Sequence, residues 1–189
     1  MRSSSWLQGM SIAVPCHQSV FNPLIYIDLP TVKLTCIRTV SAGKFGYIDL
    51  ALYETESETR EVFVKRPIMA GKSLLEEACI QSCVLEYFQD RGFPTVTPRI
   101  VRIFRLQDNS VCFAMDPIEQ AVTLDHYLES LTPIRAQQVI VGCLFELCSM
   151  IWHLSYVVGI NHRDLKPSNF LITEHDHPIR KVLTIDSDI

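Results

Sequence analysis

The periodicity of the chain changes at Asp116-Pro117, and that change limits the folds open to it. Before it, β-branched and aromatic residues come in short runs at 33–40, 47–53, 61–65, 99–106 and 111–115. The connections at 54–58 and 107–110 are acidic or turn-forming, so the runs predict an antiparallel sheet built from hairpins. One helix interrupts the strands over 73–89, where Leu74, Leu75, Ala78, Ile80, Val84, Leu85 and Phe88 recur at helical spacing, with Ser73 as its cap and Glu76 three residues on. After Asp116-Pro117 the pattern turns helical, with a short helix over 124–131 and a long one over 134–158 that opens after Thr132-Pro133. The fold class is therefore α+β, a sheet lobe followed by a helical lobe. Residues 1–31, with three prolines and no clean period, form an extension; 32–115 form the sheet lobe and 116–189 the helical part. Asp116 is the expected hinge, and a cleft between lobes is where a ligand is expected.

At 189 residues, 48% hydrophobic and 20% charged, the chain has the composition of a globular protein with a real core. Its formal net charge of −4 excludes a nucleic-acid protein held by bulk charge. Seven cysteines, an odd number without a C-x-x-C pair, lie in apolar runs and read as reduced thiols of an intracellular protein, cytoplasmic or nuclear. Gln8, Gly9, Ser11 and Pro15 interrupt the start of the chain, so no secretory signal is expected. Residues 139–160 have the length of a membrane span. They carry Glu146 and His153 and run into His162-Arg163-Asp164, so the expectation is a buried core helix, with no membrane partner.

The chemistry concentrates in His162-Arg163-Asp164-Leu165-Lys166-Pro167-Ser168-Asn169-Phe170-Leu171-Ile172. Phosphoryl transfer needs an aspartate to accept or orient the proton of the attacking hydroxyl, a lysine two residues on to neutralise the phosphoryl group, and an asparagine five residues on as metal ligand. Asp164, Lys166 and Asn169 have those spacings. The segment resembles the catalytic loop of the eukaryotic protein kinase family, H-R-D-L-x-x-x-N, at every fixed position. Over residues 32–189 the resemblance implies a kinase-like fold: an antiparallel N-lobe sheet with one helix, then the first helices and catalytic loop of a helical C-lobe.

Further parts follow in the family's order. Val40-Ser41-Ala42-Gly43-Lys44-Phe45-Gly46-Tyr47-Ile48 resembles the glycine-rich phosphate loop, so Gly43, Lys44, Phe45, Gly46 and Ile48 are implied nucleotide contacts, with Ser41 in place of the first glycine. Val62-Phe63-Val64-Lys65 resembles the strand whose lysine holds the α- and β-phosphates, and Phe63 stands on the Lys65 face where the family has alanine. Glu77 is the implied partner of Lys65, preferred over Glu76 because Ile80 and Val84 follow it on the inward face. It lies twelve residues after Lys65, which demands a tight loop. Met115 is implied behind the adenine, with the Asp116 carbonyl and the Ile118 amide bonding the base and Pro117 where no N–H is needed. Lys181-Val182-Leu183-Thr184-Ile185-Asp186-Ser187-Asp188 resembles the D-F-G segment, with Asp186 joining Asn169 as metal ligand and Ser187 and Asp188 in place of phenylalanine and glycine.

The resemblance thus implies ATP and Mg²⁺ as cofactors and, from Lys166-Pro167, a serine/threonine-directed kinase acting on a protein hydroxyl. The altered loops are similar to those of divergent members, including kinases carried by large DNA viruses, which would act in the host cell. No activation segment or A-P-E motif follows Asp186 before Ile189, so a truncated or divergent form is implied, with one side of the long helix uncovered unless a partner chain covers it. Two alternatives stand beside this: a pseudokinase or inactive fragment acting as a binding module, and a small-molecule phosphotransferase of related fold.

Other patterns carry less. Gly71-Lys72-Ser73 sits where a Walker A loop would, but Arg66 takes the place of its first glycine. His175-Asp176-His177 reads as a turn beside Pro178, and Cys79 with Cys83 as buried helix thiols.

Overall fold

A computed structural model describes residues 11–16, 29–43, 46–92, 96–118, 120–173 and 180–183. They fall into two compact units, one within Met1–Ala78 and Ile100–Pro117, the other within Cys79–Arg99 and Ile118–Ile189.

The first unit is an antiparallel sheet of β1 (Ser11–Cys16), β2 (Leu29–Ala42), β3 (Gly46–Glu54), β4 (Thr59–Pro67), β5 (Ile100–Arg105) and β6 (Val111–Met115), in the order β1-β2-β3-β4-β6-β5. The expected runs all become strands, and the turns are closed by their own polar residues: the Thr55 amide reaches the Glu58 carbonyl at 2.8 Å, and the Ser110 amide reaches Asp108 Oδ1 at 2.9 Å. Strict alternation puts Val32, Leu34 and Cys36 of β2, Ala51 and Tyr53 of β3, and Val62 and Val64 of β4 on one buried face, with Phe104, Cys112 and Ala114 completing the cluster. β1 and β5, at the two ends of the order, approach each other.

β1 departs from expectation. Residues 11–16 lie in a stretch read as irregular extension, yet they pair with β2 from Ser11–Thr35 to Cys16–Leu29. A strand of six residues interrupted by Pro15 shows no clear period alone; the unpaired edge of β2 supplies its hydrogen bonds.

Helix α1 (Leu75–Gln89) follows a loop tied to the β5–β6 hairpin. The Gly71 amide donates to Ser110 Oγ at 2.9 Å, the Val111 amide to the Lys72 carbonyl at 2.9 Å, and the Leu74 amide to the Val111 carbonyl at 3.0 Å. Ser73 forms a parallel bridge with Val111, so regular helix begins two residues later than expected, and Ser73 Oγ accepts from the Leu75 amide at 3.2 Å. Glu76 and Glu77 then sit in the first turn, where the exposed amide ends favour negative charge.

The second unit holds the remainder of α1, α2 (Leu124–Glu129), α3 (Pro133–Trp152), and a sheet of β7 (Ala121–Thr123), β8 (Phe170–Thr173) and β9 (Arg180–Leu183) in that order. Val84, Phe88, Leu124, Met150, Leu154, Phe170 and Ile172 form its core. Truncating Phe88 there to alanine costs about 3–5 kcal/mol by the usual penalty for emptying an aromatic site. α3 opens as its sequence dictates, with Thr132 Oγ1 accepting from the Arg135 amide and Pro133 in the first turn. It does not run unbroken to residue 158. His153 Nδ1 donates to the Ser149 carbonyl at 2.8 Å, sharing an acceptor of the helical ladder, and the chain loosens into a π-helical turn over His153–Val158 that ends at Gly159, φ 80°.

The expectation of a buried core helix over 139–160 needs correction. Val139, Cys143, Met150 and Leu154 are buried on one face. On the other, Val141 is 71% exposed, Phe145 81% and Tyr156 79%, because no other element covers that face among the described residues. Pro133–Val158 is long and apolar enough, by length and composition, to cross a membrane.

Candidate active site

In the first unit, β4 carries Lys65 directly opposite Ile48 of β3 and Phe113 of β6. Its ammonium donates to Glu77 Oε1 at 2.5 Å. Both groups are largely withdrawn from water, with side-chain exposures of 13% and 5%, so this is a desolvated pair rather than a surface contact. The tethered loop between β4 and α1 makes it geometrically possible: fixing Ser73 against Val111 sets the start of the helix, and Glu77 is in its first turn. Glu76 makes no such contact with Lys65 among the described interactions.

Gly43 and Gly46 close the β2–β3 turn, with the Gly43 amide donating to the Gly46 carbonyl at 2.9 Å. A Cβ at Gly46 would lie 2.7 Å from the Arg66 carbonyl oxygen, so the strand pair itself requires glycine at this position. Ile48 is half-buried beside Lys65. Lys44 and Phe45 lie outside the described residues.

Phe63 is opposite Leu50 on β3 and Met115 on β6, which puts Phe63, Lys65 and Met115 on one side of β4 and β6. Met115, Asp116 and Ile118 are each partly exposed. Asp116 Oδ1 accepts from Arg60 Nη1, and the Arg60 guanidinium also lies 5.2 Å from the Tyr53 ring centre, so the end of β6 is held by side chains. The sequence gives no sign of that pair, which joins residues far apart along the chain.

In the second unit, the loop leading to β8 gathers two side chains around one carboxylate. Lys166 Nζ donates to Asp164 Oδ2 at 2.5 Å, and Asn169 Nδ2 donates to the same oxygen at 3.0 Å and to the Asp164 carbonyl at 2.7 Å. A 3-10 turn over Pro167–Asn169, closed by the Asn169 amide on the Lys166 carbonyl at 2.9 Å, brings the asparagine back over the aspartate. Arg163 adopts φ 59°, a left-handed conformation that costs a non-glycine residue energy, and the Asp164 amide meets the His162 carbonyl at 2.8 Å. His162 is buried and stacked on Phe170, which anchors the loop to the core. The Lys166 hydrogen bond, then that of Asn169, holds the Asp164 carboxyl below its ordinary pKa. Asp186 lies outside the described residues.

No protein-family model matches the chain. Among solved structures, the kinase domain of PknI from Mycobacterium tuberculosis is similar with a TM-score of 0.53 at 16% sequence identity, covering 82% of this chain and 60% of that one. A double mutant of the same domain gives 0.51 at 15% identity, covering 82% and 59%. The fold is protein-kinase-like. The antiparallel sheet and α1 match the elements of an N-lobe, and the elements after Pro117 those of part of a helical C-lobe. Identities this low speak to fold alone, and the chain spans about three-fifths of the length of the kinase domains it matches. Among the described residues, Lys65 with Glu77 and Asp164 with Lys166 and Asn169 are groupings of polar side chains with the spacing the sequence anticipates.

Proposed function

We propose that the chain is a phosphotransferase of the serine/threonine protein kinase kind, moving the γ-phosphoryl group of ATP to a protein hydroxyl. The observation that carries the reading is the desolvated Lys65–Glu77 pair, which holds a three-donor cation in fixed orientation on a strand, as phosphate recognition requires. Asp164 supports it: a carboxylate kept ionised by Lys166 and Asn169 accepts the proton of a Ser or Thr hydroxyl as its oxygen bonds to the γ-phosphorus and the bond to ADP breaks. Lys166 then offsets charge on the transferred group.

The oxygen donors suit Mg²⁺, a hard cation. Asn169 turns its amide N–H groups to Asp164, so its oxygen is the atom it would offer a metal, with Asp186 as the second ligand. When bound, the ion neutralises phosphate charge. This reading goes with an intracellular protein, and with a further polypeptide or partner chain on the exposed face of α3.

The test is transfer from radiolabelled Mg·ATP to a panel of Ser/Thr peptides, Tyr peptides and small alcohols. Transfer to Ser/Thr peptides, lowered at least about 100-fold by Asp164→Asn, is expected. Binding of ATP without transfer would favour a pseudokinase, which the bulk of Phe63 beside Lys65 speaks for. Transfer only to small alcohols would favour the third reading.

A further inference from the structure

A polar cluster around a buried ion pair, on the same face of the sheet as its apolar core, lies outside the phosphotransfer set. Asp49 is 0% exposed and Arg66 6%, and the Arg66 guanidinium meets Asp49 through Nε and, at 3.4 Å, through Nη2. Thr39, directly opposite Asp49 on β2, donates its hydroxyl to Asp49 Oδ1 at 2.7 Å. The guanidinium also lies over the Tyr47 ring, 4.1 Å from its centre. One carboxylate therefore ties β2, β3 and β4 together.

Its position gives the cluster a task. The register of β2 on β3 shifts twice, between Cys36 and Arg38 and between Thr39 and Ser41, so Thr39 sits between two irregularities. A bulge leaves a residue unpaired and interrupts the ladder locally, and a displacement of one residue along a strand moves a turn by about 3.3 Å. The turn concerned is the one closed by Gly43 and Gly46, and Gly46 rests against the carbonyl of Arg66, the neighbour of Lys65. A buried ion pair adds little stability over apolar residues of the same volume, but its geometry is directional.

We propose that Thr39, Asp49 and Arg66 are positioning residues that fix the register of the Gly43 and Gly46 turn against Lys65 and thereby set nucleotide affinity. The last step rests on the phosphotransfer reading; the register claim does not.

The test compares the full chain with the apolar pair Asp49→Leu/Arg66→Met, which removes both charges of the pair together, and with Thr39→Val, which keeps the ion pair. Melting temperature, amide hydrogen exchange and Mg·ATP titration are measured on each. In the folded double variant, Gly43 amide exchange is expected to rise about tenfold while Ala51 and Val62 exchange as in wild type. The ATP dissociation constant is expected to rise at least about tenfold. Unchanged Gly43 exchange, or equal acceleration at all three amides, overturns the register claim. Unchanged affinity with accelerated Gly43 exchange overturns the link to nucleotide. If the double variant does not fold, Thr39→Val decides: Gly43 exchange about threefold faster is expected, and no change overturns the proposal. A wild-type chain that does not bind ATP defeats the phosphotransfer reading, and Gly43 exchange still decides the register claim.

Discussion

Asp164 keeps its charge because Lys166 and Asn169 both donate to the same oxygen. A carboxyl whose folded pKa is depressed is ionised at all higher pH, and loses that charge only as pH falls through the lowered value. Carbon-13 NMR titration of the side chain is expected to give a midpoint below the ordinary aspartate range, and Lys166→Ala to raise it, carrying the acid limb of any transferase activity upward. A midpoint unmoved by Lys166→Ala would mean that the lysine contact is not held in solution. Glu77 tests the other grouping. Glu77→Ala leaves the Lys65 ammonium buried without this partner, and urea unfolding is expected to show a loss of about 3 kcal/mol. A change under about 1 kcal/mol would mean that the pair is solvated. At this scale the sequence speaks through local spacing: Asp164, Lys166 and Asn169 stand within six residues and their loop brings them together. Asp49 and Arg66 escape notice because their pairing depends on strand register, although a charge in line with Ala51 and Tyr53 on one strand face is the trace they leave.

Elements with a strong period are legible and those completed by a neighbour are not. β3 and β4 follow their alternation, β6 is a short apolar run buried on both faces, and α1 follows its apolar spacing. β1 and β7 exist because adjacent edges need partners: residues 121–123 pair with Thr173, Ile172 and Leu171 of β8, a match no local pattern reports. The break in α3 at His153 is equally silent, since it turns on one side chain reaching a carbonyl. α3 also carries the clearest prediction at this scale. Phe145 is 81% exposed, so Phe145→Asp is expected to change folding stability by no more than about 0.5 kcal/mol and to reduce light scattering from concentrated protein. A loss of about 3 kcal/mol in urea unfolding would show the ring to be buried in solution.

At the scale of the whole molecule, the kinase-like fold was legible because two unlike halves, hairpins and then helices, meet a motif that follows the long helix. Relatedness by sequence is low, 16% to the PknI domain, so the functional claim rests on residues and not on overall likeness. The central claim is that the chain binds Mg·ATP as proposed, with Lys65 and Asn169 each contributing. Isothermal calorimetry of Mg·ATP with the wild-type chain, Lys65→Met and Asn169→Ala, each first confirmed folded by circular dichroism, tests it most directly. Saturable, Mg²⁺-dependent binding is predicted for wild type, weakened at least about tenfold in each variant. Phe63→Ala is predicted to tighten it, because it clears the side of β4 that carries Lys65. A folded wild-type chain that takes up no nucleotide, or binding indifferent to Lys65 and Asn169, would contradict the account.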